Sequence, residues 1–327
     1  MKALVIEEVG KPVRVAEVEE PTAGPGEVVV EVAAAALNHR DIFITKGLYP
    51  GMQLPAVPGS DATGVVVSPG RFQGKPVVID PGRGWGDDER AQGPDYDILG
   101  MPRRGTFAER VVVPEAALAP RPPHLDEVAA AALPLAHLTA WRAVVTRALV
   151  TAGDKVLVTG IGGGVALAAL QIAKARGAKV WVTSSDPDKI ERARAMGAEG
   201  GFLYGEERWG RAVRKALGGG ADVVVDGAGG PGFEEVVDAL APGGRIAVYG
   251  ATKGRWPELL PPRLFFKQAS ILTSTMGSPR EFAAMVDFVT KEKLVPVVDR
   301  SYPLEQGPEA FAHLESGAQM GKVVLVP

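Results

Sequence analysis

The stretch Val156-Leu-Val-Thr-Gly-Ile-Gly-Gly-Gly-Val-Ala166 decides the reading of this chain. An apolar strand runs straight into a glycine-rich turn, and a helix-forming run follows over 165–176. The start of a helix offers unpaired N–H groups and partial positive charge, which suit a pyrophosphate. Glycines let the backbone come close to phosphate oxygens where a Cβ would collide. Against the pattern G-x-G-x-x-G the fit is partial: Ile161 and Ala166 fill the first and third positions, and Gly163 fills the middle. Glycine-rich turns also arise for packing alone, so the context decides. Downstream, strands at 180–183, 223–225 and 246–249 alternate with helices at 187–196, 209–217 and 233–240. Upstream lie helices at 127–132 and 136–148. This period predicts right-handed crossovers and a doubly wound parallel α/β sheet that binds a dinucleotide.

The end of the second strand bears on which dinucleotide. A site for the unphosphorylated form usually has an acidic residue there, accepting from the ribose 2′-hydroxyl. Here the strand ends in Ser184 and Ser185, and Lys189 lies one turn into the next helix. Hydroxyls and a cation favour a 2′-phosphate, hence NADPH. The plainer reading makes Ser184 the start of a loop, Asp186 a helix cap and Lys189 a solvated lysine.

Outward from this core the texture changes. Short β-rich runs at 13–18, 28–32, 62–67, 77–79 and 107–113 sit between Gly and Pro signals and predict a small antiparallel barrel or sandwich. The last segment predicts a strand at 271–274, helices near 280–292 and 308–315, and a closing strand at 323–326. A chain of 327 residues is long enough for two domains. A net charge of −3 argues against a nucleic-acid or membrane-surface partner. The absence of cysteine excludes disulfides and leaves only His, Asp and Glu for any zinc. The four histidines show no metal spacing. The N-terminus reads as a strand and not as a signal peptide, so a cytoplasmic location is expected.

A series of ordered motifs then resembles the medium-chain dehydrogenase/reductases, in particular their quinone oxidoreductase branch and the zinc-type alcohol dehydrogenase-like subgroup. The likeness runs through Asn38-His-Arg-Asp41, Gly47-Leu-Tyr49, Gly59-Ser-Asp61, Gly105-Thr-Phe-Ala-Glu109 and Pro134-Leu-Ala-His-Leu-Thr-Ala-Trp141. It continues through Gly162-Gly-Gly164, Gly197-Ala198, Gly243-Gly-Arg245 and Gly321-Lys-Val-Val-Leu325. The resemblance implies a GroES-like catalytic domain over 1–122 and 267–327, and a Rossmann domain over 123–266. It also implies that the positions of the family's catalytic-zinc ligands fall at Asn38, Ser60 and Leu135. Those of its structural zinc lobe fall at Trp85, Asp88 and Ala91. None of these supplies a zinc donor set, so no metal is expected.

Among site residues, the resemblance gives Asn38, Asp41 and Tyr49 as polar active-site positions. An equally physical reading has Asn38 and Asp41 capping a helix at 39–45 and Tyr49 packing in a turn. Thr139 is placed by the resemblance near the nicotinamide, and Tyr204 near the adenosine phosphate. Gly250 and Ala251 fall on the nicotinamide side, Ser274 and Met276 at the carboxamide, and Lys322 at a phosphate or else in solvent. With Gly162, Gly163, Gly164, Val165, Ser184, Ser185 and Lys189 they make the expected NADPH site.

Alcohol oxidation normally relies on zinc to hold the developing alkoxide, whereas a conjugated carbonyl is already activated. The expected function is therefore NADPH-dependent hydride transfer to a quinone or enone. The alternatives are an alcohol dehydrogenase or aldehyde reductase of the same family, and an NADPH-binding sensor with little turnover. A homodimer through an edge strand at 271–275 is also expected.

Overall fold

The computed structural model describes residues 1–49 and 51–327. The chain divides into two compact units, one of residues Met1–Leu138 and Gly277–Pro327, the other of Thr139–Met276.

In the second unit, six strands form one sheet in which every pair is parallel. Across the sheet they run Gly200–Leu203, Lys179–Ser184, Lys155–Val158, Ala221–Asp226, Leu240–Val248 and Ser270–Thr273. In chain order that is 3-2-1-4-5-6, the doubly wound dinucleotide-binding arrangement, with its reversal beside Lys155–Val158. Val156, Leu157 and Val158 are fully buried, as a central strand covered by helices on both faces requires. Helix Gly164–Ala175 carries its apolar side into the core through Leu167, Leu170 and Ile172. Asp186 accepts from the Asp188 N–H and starts helix Pro187–Ala195, with proline at the tolerated first position. The expected helix at 136–148 is instead an α-helix, Pro134–Trp141, continued by a π-helical segment, Arg142–Arg147.

The first unit is built on a seven-stranded sheet. Its path is Val298–Pro303, Lys322–Val326, Glu27–Ala36, Asp61–Val66, Pro76–Ile79 and Leu118–Pro120, with Arg110–Pro114 also pairing Glu27–Ala36. All pairs are antiparallel except Val298–Pro303 with Lys322–Val326. Alternation along Glu27–Ala36 sends Val28, Val30 and Val32 inward, where they meet Leu4, Ile79, Phe107 and Leu325. Phe107 and Phe311 meet edge to face at 6.0 Å, tying the C-terminal helix Gly307–Ser316 to this core.

Both domain boundaries differ from the sequence expectation, for physical reasons. Helix Glu127–Ala131 lies on the first unit, where Ala131 is buried with Ala34, Ala36 and Val324. That carries the first boundary from 122 to 138. Strand Ser270–Thr273 pairs in register with Leu240–Val248, so the sheet keeps it and the second boundary moves from 266 to 276. No helix among the described residues is long and apolar enough to cross a membrane.

Candidate active site

The cofactor candidates of the second unit gather at one edge of its sheet. The turn Gly160–Gly164 follows the first strand, Ser184 ends the second and Ser185 comes directly after it, and Tyr204 follows the third. Gly250 and Ala251 follow the fifth strand, and Ser274 and Met276 the sixth. All therefore stand at carboxyl ends of parallel strands, where a doubly wound sheet binds its ligand.

The turn itself is open. Gly160 has φ +65°, a conformation that side chains strain to adopt, and no atom lies within 4 Å of where its Cβ would be. The same space stands open at Gly163, the N-cap of helix Gly164–Ala175, whose first turn no side chain caps. Open space at an uncapped helix start is what a dinucleotide's pyrophosphate needs. Thr159 and Asp226, which sequence reasoning missed, brace it. Thr159 Oγ1 donates to Asp226 Oδ1 at 2.6 Å, and Asp226 Oδ2 accepts from the Gly229 N–H at 2.9 Å. The Gly160 N–H is held by Thr183 Oγ1 at 3.1 Å.

At the far end, Thr139 Oγ1 donates to the Met276 sulfur at 3.7 Å, and both residues are buried. The Ser274 hydroxyl is buried with no hydrogen-bond partner among the described residues, an orphan that a bound carboxamide or ribose would satisfy. These residues fit a nicotinamide dinucleotide. At the second strand, the Ser184 hydroxyl accepts from the Asp186 N–H, and Asp186 serves as the helix cap. Asp186 is thus the cap that the plainer reading makes it, whereas Ser184 is the last residue of the strand and not the start of a loop; Ser185 is exposed.

The first unit holds a polar cluster of its own. Lys322 Nζ, 5% exposed as a residue, donates to Asn38 Oδ1 at 2.5 Å and to Asp61 Oδ2 at 2.9 Å. Asn38 Nδ2 also donates to Asp61 Oδ2, at 2.9 Å, and Asp61 Oδ1 accepts from the Leu135 N–H at 2.7 Å. Lys322 is therefore neither in solvent nor directed at a phosphate; its ammonium is tied to a carboxylate inside this unit. Asp61 was not singled out from the sequence, although it ends the quoted Gly59-Ser-Asp61. Asp41 Oδ2 accepts from the Asn38 N–H at 2.8 Å, so Asp41 braces the start of helix His39–Thr45 as the capping reading has it.

Burial pushes the Asp41 carboxyl up to about 6, with the Arg40 charge and the Asn38 N–H opposing the rise. The folded state thus holds this proton more tightly than the unfolded chain does. The resulting stability is complete below about pH 4 and is lost as pH climbs through 6. Asp41→Asn keeps the acceptor and removes the titration. It is expected to lessen the stability lost between pH 4 and 7 by about 2 kcal/mol, read from urea midpoints at the two pH values. An unchanged difference between those midpoints would refute the assignment.

The positions assigned to catalytic-zinc ligands do not fit a zinc ion. Asn38 is a neutral amide engaged at both ends, Ser60 is bonded to the Leu99 carbonyl at 2.8 Å, and Leu135 offers no donor side chain. An ammonium already stands against the Asn38 oxygen. Among the described residues no three or more His, Cys, Asp or Glu side chains are grouped to hold a metal. In the loop that matches the structural-zinc lobe, Trp85 is buried and packs edge-on against Tyr96 at 5.3 Å.

Comparison with known proteins agrees with this architecture. A family model described as an alcohol dehydrogenase GroES-like domain matches residues 24–123, and one described as a zinc-binding dehydrogenase matches 164–291. A zinc-type alcohol dehydrogenase-like protein of Leptosphaeria maculans is 35% identical, over 96% of this chain and 94% of that protein. The chain belongs to the medium-chain dehydrogenase/reductase family. As a medium-chain dehydrogenase/reductase it is an oxidoreductase with the GroES-like and Rossmann folds that its sequence predicts. The crystal structure of an NAD-dependent alcohol dehydrogenase superposes with a TM-score of 0.95 at 45% identity, covering all of both chains. A quinone oxidoreductase from Thermus thermophilus, solved also with NADPH, superposes at 0.83 with 32% identity over all of both chains.

Proposed function

We propose that this medium-chain oxidoreductase reduces a quinone or conjugated enone with NADPH and without zinc. The observation that carries the reading is the ammonium of Lys322, bonded to Asn38 and Asp61, beside positions that hold a metal's ligands in the zinc enzymes of the family. A reaction that needs no Lewis acid suits that arrangement. NADPH is favoured over NADH because the second strand ends in Ser184 and is followed by an exposed Ser185, hydroxyls suited to a 2′-phosphate, while Asp186 is committed to its cap. The likeness to the Thermus thermophilus quinone oxidoreductase, solved with NADPH, supports the same choice.

When bound, the dinucleotide supplies the hydride; the chain holds and orients. Gly163, Gly164 and Val165 would hold its pyrophosphate, and Thr139 and Ser274 would orient its nicotinamide end.

The 45% identity to the NAD-dependent alcohol dehydrogenase favours a second reading, oxidation of an alcohol with NAD⁺. Initial rates with a panel of naphthoquinone, enone, aldehyde and alcohol, each with both cofactors, separate the two. The first reading expects quinone or enone turnover with kcat/KM at least about tenfold higher for NADPH than for NADH, near 1.4 kcal/mol of discrimination. Alcohol oxidation with NAD⁺ as the fastest reaction would overturn it. A homodimer is part of the same proposal: among the described residues strand Ser270–Thr273 ends the sheet with one side unpaired, and light scattering reads the mass.

A further inference from the structure

We infer that Arg40 binds the carbonyl oxygen of the acceptor and stabilises the negative charge that hydride addition places on it. The inference rests on the reading of a conjugated acceptor.

Arg40 is the second residue of helix His39–Thr45. Its Nη1 donates to the Leu99 carbonyl at 2.7 Å and to Ser60 Oγ, which itself donates to that carbonyl. The guanidinium carbon lies 4.6 Å from the centre of the Tyr49 ring. Three neighbours thus fix the group in place. Its remaining nitrogens, Nε and Nη2, are buried and have no hydrogen-bond partner among the described residues. Nor does an ion pair join Arg40 to a carboxylate among them. The other cations and amides of the cluster differ: Lys322 already faces Asp61, and Asn38 is engaged at both ends of its amide.

Nε–H and Nη2–H are the parallel pair with which a guanidinium grips an oxygen carrying two lone pairs. Leaving both unmade away from water is costly, so their natural completion is a ligand oxygen. In a conjugate reduction a C–H bond forms at the acceptor from the cofactor's hydride, and the π pair moves onto the distal oxygen. The cofactor is oxidised and that oxygen then takes a proton from water. A fixed cation with two unused donors is suited to the oxygen at the moment its charge develops. Tyr49, half-buried over the guanidinium, is the side chain an acceptor ring would displace or stack against.

The test uses 2-hydroxy-1,4-naphthoquinone, an anion at neutral pH, titrated by absorbance into the whole protein and its Arg40→Gln and Arg40→Lys variants. Wild type is expected to bind the anion and lower its acid midpoint. Arg40→Gln should weaken binding about tenfold or more and abolish the midpoint shift, and Arg40→Lys should weaken it less. NADPH affinity should stay at the wild-type value in both variants, and the melting temperature, which reads the lost bond to the Leu99 carbonyl, tells that structural cost apart from the loss of anion binding. In turnover of a neutral naphthoquinone, kcat should fall about 100-fold in Arg40→Gln with KM moved far less. Anion binding and kcat unchanged in Arg40→Gln overturn the inference. If wild type reduces no conjugated acceptor, the reduction reading fails by itself, and the anion titration still decides Arg40.

Discussion

Lys322→Met is expected to destabilise the protein by about 3–5 kcal/mol, the cost of leaving a buried charge without its partner. Asp61 is fully buried, and among the described residues Lys322 and Asn38 are the donors to one of its oxygens. Methionine fills similar volume, so packing changes little and the loss reports the charge. The account therefore expects a second change, Lys322→Met with Asp61→Asn, to recover much of the loss, because a neutral amide can stay buried there and still accept from the Leu135 N–H. Guanidinium denaturation of the four proteins at pH 7 measures the cycle. A single-variant loss below about 1 kcal/mol would show that the three side chains are not a coupled unit.

Gly163→Asp should separate folding from cofactor binding. The residue has φ −78°, ordinary for any amino acid, and nothing lies within 4 Å of an added Cβ, so the fold accepts a side chain. Aspartate is moreover a favoured N-cap, and helix Gly164–Ala175 has no side-chain cap at present. Stability should stay level or rise by about 1 kcal/mol. The same carboxylate stands where the pyrophosphate is proposed to lie and repels it. Dinucleotide affinity should fall about 100-fold, near 3 kcal/mol, as read by fluorescence titration with NADPH. Undiminished affinity in a folded Gly163→Asp protein would place the phosphates elsewhere.

Much of this was legible in the residues. The strand, glycine turn and helix at 156–166 announced the parallel sheet, because that sheet's central strand is apolar and fully buried from Val156 to Val158 and runs straight into glycines that leave a helix start uncovered. The strand Gly200–Leu203 was not legible, since it opens on two glycines that carry no strand signal. Strand Ser270–Thr273 could be seen as a strand, but its sheet could not, because pairing is a long-range fact. Residues were easier to find than their partners. Asn38, Asp41 and Lys322 were all singled out, but nothing in a linear sequence brings Lys322 to a pair of residues 284 and 261 positions away. Arg40 lay inside a quoted motif without drawing notice, because its distinction is two donors left unused, visible only once the neighbours are in place.

The proposed reaction is reduction of a conjugated acceptor at a site where the Lys322 ammonium bonds Asn38 and Asp61 and no metal ion takes part. The most direct measurement is NADPH oxidation by naphthoquinone with protein dialysed against a strong chelator and assayed for bound metal. Turnover at the undialysed rate with less than about one-tenth of a zinc per chain is the predicted result. Activity that vanishes on chelation and returns in proportion to added zinc would contradict it.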